Sequence, residues 1–180
     1  MTKDNLSFLM AYCAACFSEE KIEDGESMKV DSNLWRRQIA DIVNWVESKN
    51  YKVLFKTDEE DRVCFESKTV FINSRNHPET KYYTLLHEAG HLLISQSWKS
   101  FDRDMPMYAI SADGRCERGK AYIVSLLAEE IEAWKRGRRL ANKLNHHINN
   151  KKFDHHLTDG VMSYIIWAGD TAKGSLKDDE

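Results

Sequence analysis

The stretch TLLHEAGHLL, residues 84–93, sets His87, Glu88 and His91 in the order H-E-x-x-H. This is the feature that most narrows what the chain can form. Residues four apart on an α-helix share one face about one turn apart, so a helix through this stretch aims both imidazoles at a single point, where they can hold one zinc ion. Glu88, one residue on, points to the side of that face. Its carboxylate is placed to take a proton from water rather than to fill a coordination position, which makes Glu88 the candidate catalytic base. A catalytic zinc needs a third protein ligand beside its water. The short extension with Gly and His three and six residues after the second histidine is absent, because Ile94 and Ser97 stand there.

The third ligand must therefore come from elsewhere, and a second long helical pattern from about Lys120 to His147 carries Glu129, Glu130 and Glu132. Glu130 has Leu126, Leu127, Ala133 and Trp134 three and four positions away, so it belongs to the apolar stripe that faces the core. A carboxylate there is costly unless paired or bound to metal, which favours Glu130. Glu132 has the charged neighbours Glu129, Lys135 and Arg136 and reads as solvated. Glu129 is intermediate and reads more readily as helix surface than as a ligand. Glu129, Glu132, His146, His147, His155 and His156 stay open as alternatives to Glu130.

Around these two helices the pattern predicts one domain over residues 1–169, with a first helix in 1–20, a core in 30–148, a final helix in 158–169 and a flexible tail in 170–180. Asp31 or Ser32 can cap a helix running to about Lys49. Tyr51–Lys56, Arg62–Ser67 and Thr69–Asn73 read as three short strands of a small antiparallel or mixed sheet. Pro78 suits the first turn of the H-E-x-x-H helix. The irregular segment 97–119 reads as a loop facing substrate. At 180 residues and a net charge of −3, the chain is large enough for a core and too balanced in charge to nominate a polyanion partner. The four cysteines Cys13, Cys16, Cys64 and Cys116 read as reduced thiols, which with the absence of any 18-residue apolar run predicts a cytoplasmic protein without a membrane span.

A helix, short strands ending in TVFIN, a loop, TLLHEAGHLL and later EEIEAW together resemble the ImmA/IrrE-type metallopeptidases over roughly residues 30–145. That resemblance implies an α+β zincin-like domain, mostly helical with a small sheet, and a zinc-dependent peptidase acting on an intracellular protein or peptide. Glu130-Ile131-Glu132-Ala133 matches the family's E-x-E-A, which implies Glu130 as third zinc ligand beside His87 and His91. Trp134 stands where the family commonly has Asn or Asp, a departure at the position that in many gluzincins supplies a carboxylate to a ligating histidine. No helix-turn-helix module is apparent beside the core.

Two further readings compete with the enzyme. One is a zincin-scaffold binding or regulatory protein without productive substrate access. The other, less favoured, is a nucleic-acid-associated protein using Lys135, Arg136, Arg138, Arg139, Lys143, Lys151 and Lys152, although such residues also suit a helix C-terminus. Tyr108, Tyr122 and Tyr164 are candidates to stabilise an oxyanion, each read first as a core or rim residue.

Overall fold

The computed structural model describes residues 32–57, 59–97 and 120–175. The expected first helix, Cys13, Cys16, Cys116, Tyr108 and nearly all of the 97–119 loop lie outside them. The described chain is mostly helical with one small sheet, an α+β arrangement. Helix α1 spans Ser32–Glu47 and buries Trp35, Ile42 and Val46. It packs on α2, Pro78–Gln96, where the Trp35 ring sits 5.5 Å from Tyr82 and 5.8 Å from Tyr83. The chain leaves α1 through Asn50 in the left-handed region, φ 64°, a conformation asparagine tolerates better than most residues.

Strands β1 (Lys52–Lys56), β2 (Arg62–Cys64) and β3 (Thr69–Asn73) form one sheet in the order β1-β3-β2. The sheet is mixed. Successive strands run in alternating directions, and placing β3 between the other two makes it antiparallel to β2 and therefore parallel to β1. Val70 and Ile72 of the central strand are fully buried. Strand β2 lies at the edge and borders the cleft described below.

Helix α2 begins as its sequence predicts, with His77 as N-cap accepting from the Glu79 N–H through Nδ1 and Pro78 in the first turn. Its inner face is continuously apolar, with Tyr82, Leu85, Leu86, Ala89 and Leu92 all buried. Helix α3 spans Lys120–Lys143 and stops short of the expected His147. Asn145 turns left-handed at φ 54° and the His146 N–H bonds back to the Ala141 carbonyl at 2.9 Å, a Schellman-type stop. Helix α4 runs unbroken over Asn150–Ser175, starting before the expected helix at 158–169 and continuing through residues 170–175 of the expected tail. Asn149 starts the helix by accepting from the Lys152 N–H at 3.1 Å, and Phe153 anchors it in the core.

Candidate metal centre

Two glycines bring α2 and α3 together. A Cβ on Gly90 would lie 2.0 Å from the Ala133 carbonyl oxygen, and one on Gly137 would lie 2.4 Å from the Leu86 carbonyl oxygen. Only a residue without a side chain permits backbones to approach so closely. Gly90 belongs to the H-E-x-x-H stretch itself, so the approach happens at the level of the two histidines, and α3 passes over them with its Glu129-Glu130 pair facing down.

There the helices place one donor atom each of His87, His91 and Glu130 within 4.8 Å of one another. His87 Nε2 is 3.3 Å from His91 Nε2, and the two Glu130 oxygens lie 3.1 Å from His87 Nε2 and 3.6 Å from His91 Nε2. Among the described residues this is the group that could hold a metal ion. Glu130 is 5% exposed. Burial pushes its carboxyl up, yet the two imidazoles outweigh that and bring it down to about 2. His91 shows the reciprocal balance: burial pushes it down, and Glu129 and Glu130 carry it up to about 10. Glu130 and His91, each held so firmly in its charged form by the other, are suited to exchange that pairing for a cation.

Glu129 was read from sequence as a surface residue and is corrected here. It is 8% exposed, and its Oε1 lies 3.1 Å from Nδ1 of His91. Glu132 keeps its solvated setting, bound to Arg136 at 2.8 Å and Arg139 at 2.7 Å. Trp134 is buried with its ring stacked on that of His87, centroids 4.4 Å apart at 23°. It therefore holds one histidine by its face while Glu129 holds the other by its edge.

Glu88 is buried, and burial raises its carboxyl above the ordinary range, with the neighbouring histidines pulling the other way. It lines an open cleft of about 350 Å³ together with His87, His91 and Glu130. The cleft has three other walls. Asp61, Val63 and Phe65 border it from the β2 side, Leu126 and Trp134 from α3, and Gly160, Ser163 and Tyr164 from α4. Asp61, part of an acidic turn that sequence reasoning passed over, accepts from the Asn73 N–H at 2.5 Å, and burial raises its carboxyl.

The remaining histidines go elsewhere. His146 bonds Tyr82 at 3.0 Å and faces Asp41 at 3.4 Å; the His147 backbone exchanges two hydrogen bonds with Gln38. His156 lies against Tyr83, and His155 is exposed beside Asp159. The basic residues are also occupied in part: Arg136 donates to the Leu93 carbonyl at 2.8 Å at the end of α2, Arg138 pairs with Asp154, and Lys152 pairs with Glu79 at 2.6 Å. No helix among the described residues is long and apolar enough to cross a membrane.

Against known proteins, the family described as the IrrE N-terminal-like domain matches residues 46–152, which span strands β1 to β3, helices α2 and α3 and the start of α4. No curated protein and no solved structure matches the chain.

Proposed function

The chain belongs to the IrrE N-terminal-like domain family of peptidases, and from that premise we propose that it is a zinc-dependent metallopeptidase hydrolysing peptide bonds of a cytoplasmic protein. In this reading His87, His91 and Glu130 hold the metal and Glu88 is the catalytic base. The observation that carries it is the spacing of the three donors. Two ligand atoms bound about 2.0–2.1 Å from a tetrahedral zinc lie about 3.3–3.4 Å apart; the two Nε2 atoms stand at 3.3 Å, and the Glu130 carboxylate approaches them at 3.1 Å through Oε2 and 3.6 Å through Oε1. Two nitrogens and one carboxylate form a donor set typical of catalytic zinc, with a fourth position left toward the cleft.

Zinc held there would polarise the scissile carbonyl and acidify a water. The protein's own residues do the rest. Glu88 takes a proton from the attacking water and returns it to the departing amide nitrogen, a task suited to a carboxyl that burial raises above its ordinary range. Among the described residues strand β2 pairs on one side only, with β3, and its residues Arg62 and Val63 line the cleft, so an extended substrate can add to the sheet there. Val63, Phe65 and Leu126 give that substrate apolar walls.

Purified protein should bind about one zinc per chain, and Glu88→Gln should keep the metal and the fold while losing hydrolysis of a cleaved protein substrate. Absence of zinc affinity would remove the reading. A Glu88→Gln variant with full turnover would remove Glu88 from its role, and a zinc-loaded wild type inert toward every bound substrate would favour the binding-scaffold alternative.

A further inference from the structure

Helix α4 begins where the family match ends, yet it closes one wall of the cleft. Its placement follows from one face of the helix. Phe153, Gly160 and Tyr164 are separated by seven and four residues and so project from the same side. Phe153 is fully buried against Trp134, with centroids 5.3 Å apart. One stretch on, a Cβ at Gly160 would stand 3.3 Å from Nε1 of Trp134, so this glycine lets α4 lie close against the indole that stacks on His87. Tyr164, one turn further, lines the cleft together with Glu88 and Glu130.

Hydrolysis of an amide needs a donor aimed at the carbonyl oxygen as that oxygen gains charge. Among the described residues, the other hydroxyl and guanidinium donors lining the cleft already have partners. Thr84 Oγ1 donates to the Lys81 carbonyl at 3.2 Å and Ser163 Oγ to the Gly160 carbonyl at 2.7 Å. Arg62 pairs with Glu59 at 2.8 Å, its guanidinium lying over the Phe71 ring, and Gly160 of α4 packs against the Trp134 indole nitrogen. Tyr164 differs from them, because it shares the cleft with a carboxylate that the metallopeptidase reading assigns to the metal. Once Glu130 is so engaged, the phenol is free to turn to substrate.

We propose that Tyr164 is a further catalytic residue, donating a hydrogen bond from Oη to the scissile carbonyl oxygen as water adds to the carbonyl carbon. The proposal rests on the metallopeptidase reading. The bond made is water oxygen to carbonyl carbon, the bond broken is carbonyl carbon to amide nitrogen, and Glu88 carries the proton between them. Tyr164 keeps its own proton throughout.

The test uses the full chain, wild type and Tyr164→Phe, with two readouts. Zinc affinity is measured by chelator competition, and binding of a panel of phosphonamidate dipeptides with apolar side chains, whose charged oxygen stands in for the developing oxyanion, is measured by calorimetry. We expect zinc affinity to stay within about twofold and phosphonamidate affinity to fall about tenfold or more, the effect of losing one hydrogen bond to a charged group. Tyr164→His, which restores a donor, should recover part of that loss. Should the phenylalanine variant not fold, Tyr164→Leu serves the same comparison. Unchanged phosphonamidate affinity overturns the proposal. A matching loss of zinc affinity also overturns it, since Tyr164 would then only position Glu130. A wild type that binds no zinc, or loaded with zinc binds none of the panel, sinks the metallopeptidase reading itself.

Discussion

The Oε1 atom of Glu129 lies 3.1 Å from Nδ1 of His91, joining two helices across 38 positions of sequence. A histidine that donates through Nδ1 to a carboxylate keeps the lone pair of Nε2 free, and here Nε2 is the atom that faces His87 and Glu130. Glu129 thus does for His91 what the residue at Trp134 cannot do in this chain.

Glu129→Ala should therefore lower zinc affinity by about 10- to 100-fold, the usual effect of losing such a supporting carboxylate. Glu132→Ala, which removes only a partly exposed pair with Arg136 and Arg139, should leave it within about twofold. Chelator competition on the two variants decides the matter, and equal affinities would show that the contact with His91 carries no function.

Replacing Glu130 acts on the metal directly. Glu130→Gln keeps the side chain's shape but removes the anion, and zinc affinity should fall by more than about 100-fold while circular dichroism remains that of the wild type. A Glu130→Gln protein that still holds stoichiometric zinc against the same chelator would move the third ligand elsewhere.

Gly90→Ala is predicted to be among the worst single-methyl additions in the molecule. The new Cβ would meet the Ala133 backbone at 2.0 Å, and relief requires α2 and α3 to separate, at a cost of about 1–3 kcal/mol. Gly169→Ala adds the same atom on α4 with nothing within 4 Å and should stabilise by about 0.5–1 kcal/mol through helix propensity. Urea unfolding of the metal-free proteins gives both signs, and a Gly90→Ala variant as stable as wild type would contradict the close approach.

In the metal-free protein the Glu130 cluster makes stability depend on pH in two windows. Burial opposes charge on both groups, but the carboxylates raise His91 from 6.5 to about 10, so its contribution is complete below 6.5 and lost as pH rises through about 10. The imidazoles lower Glu130 from 4.5 to about 2, so its contribution is complete above 4.5 and lost as pH falls through about 2. The stability difference between wild type and Glu130→Gln should be widest between about pH 4.5 and 6.5 and narrow on either side. Urea midpoints across pH 3–10 measure it; a difference constant with pH would deny the pairing.

What could be read in advance was what a single helix encodes. The H-E-x-x-H spacing, Pro78 at the start of α2 and the apolar neighbours of Glu130 are local patterns, and each found its place in the fold. Glu129 escaped because its environment is made by another helix: its own neighbours suggest a surface, and its burial depends on how deeply α3 settles at Gly90 and Gly137. The adjacency of two glutamates on one helix was the available signal that both could reach the histidines. The three strands and a small antiparallel or mixed sheet were expected, but the strand order β1-β3-β2 that makes the sheet mixed was hidden, since periodicity marks strands but not their order. The start of α4 ahead of residue 158 was not legible because its residues are mostly polar, and only Phe153 among 150–157 is fully buried.

The parallel stacking of Trp134 on His87 gives the molecule a built-in optical gauge. An indole in face contact with an imidazole is quenched differently when that ring carries a proton, stands neutral or is drawn toward a cation. Intrinsic fluorescence should therefore change as the centre fills, and the part of that signal that vanishes in Trp134→Phe belongs to this indole alone among the chain's five tryptophans. Occupancy could then be followed during turnover without a label, from inside the wall of the site.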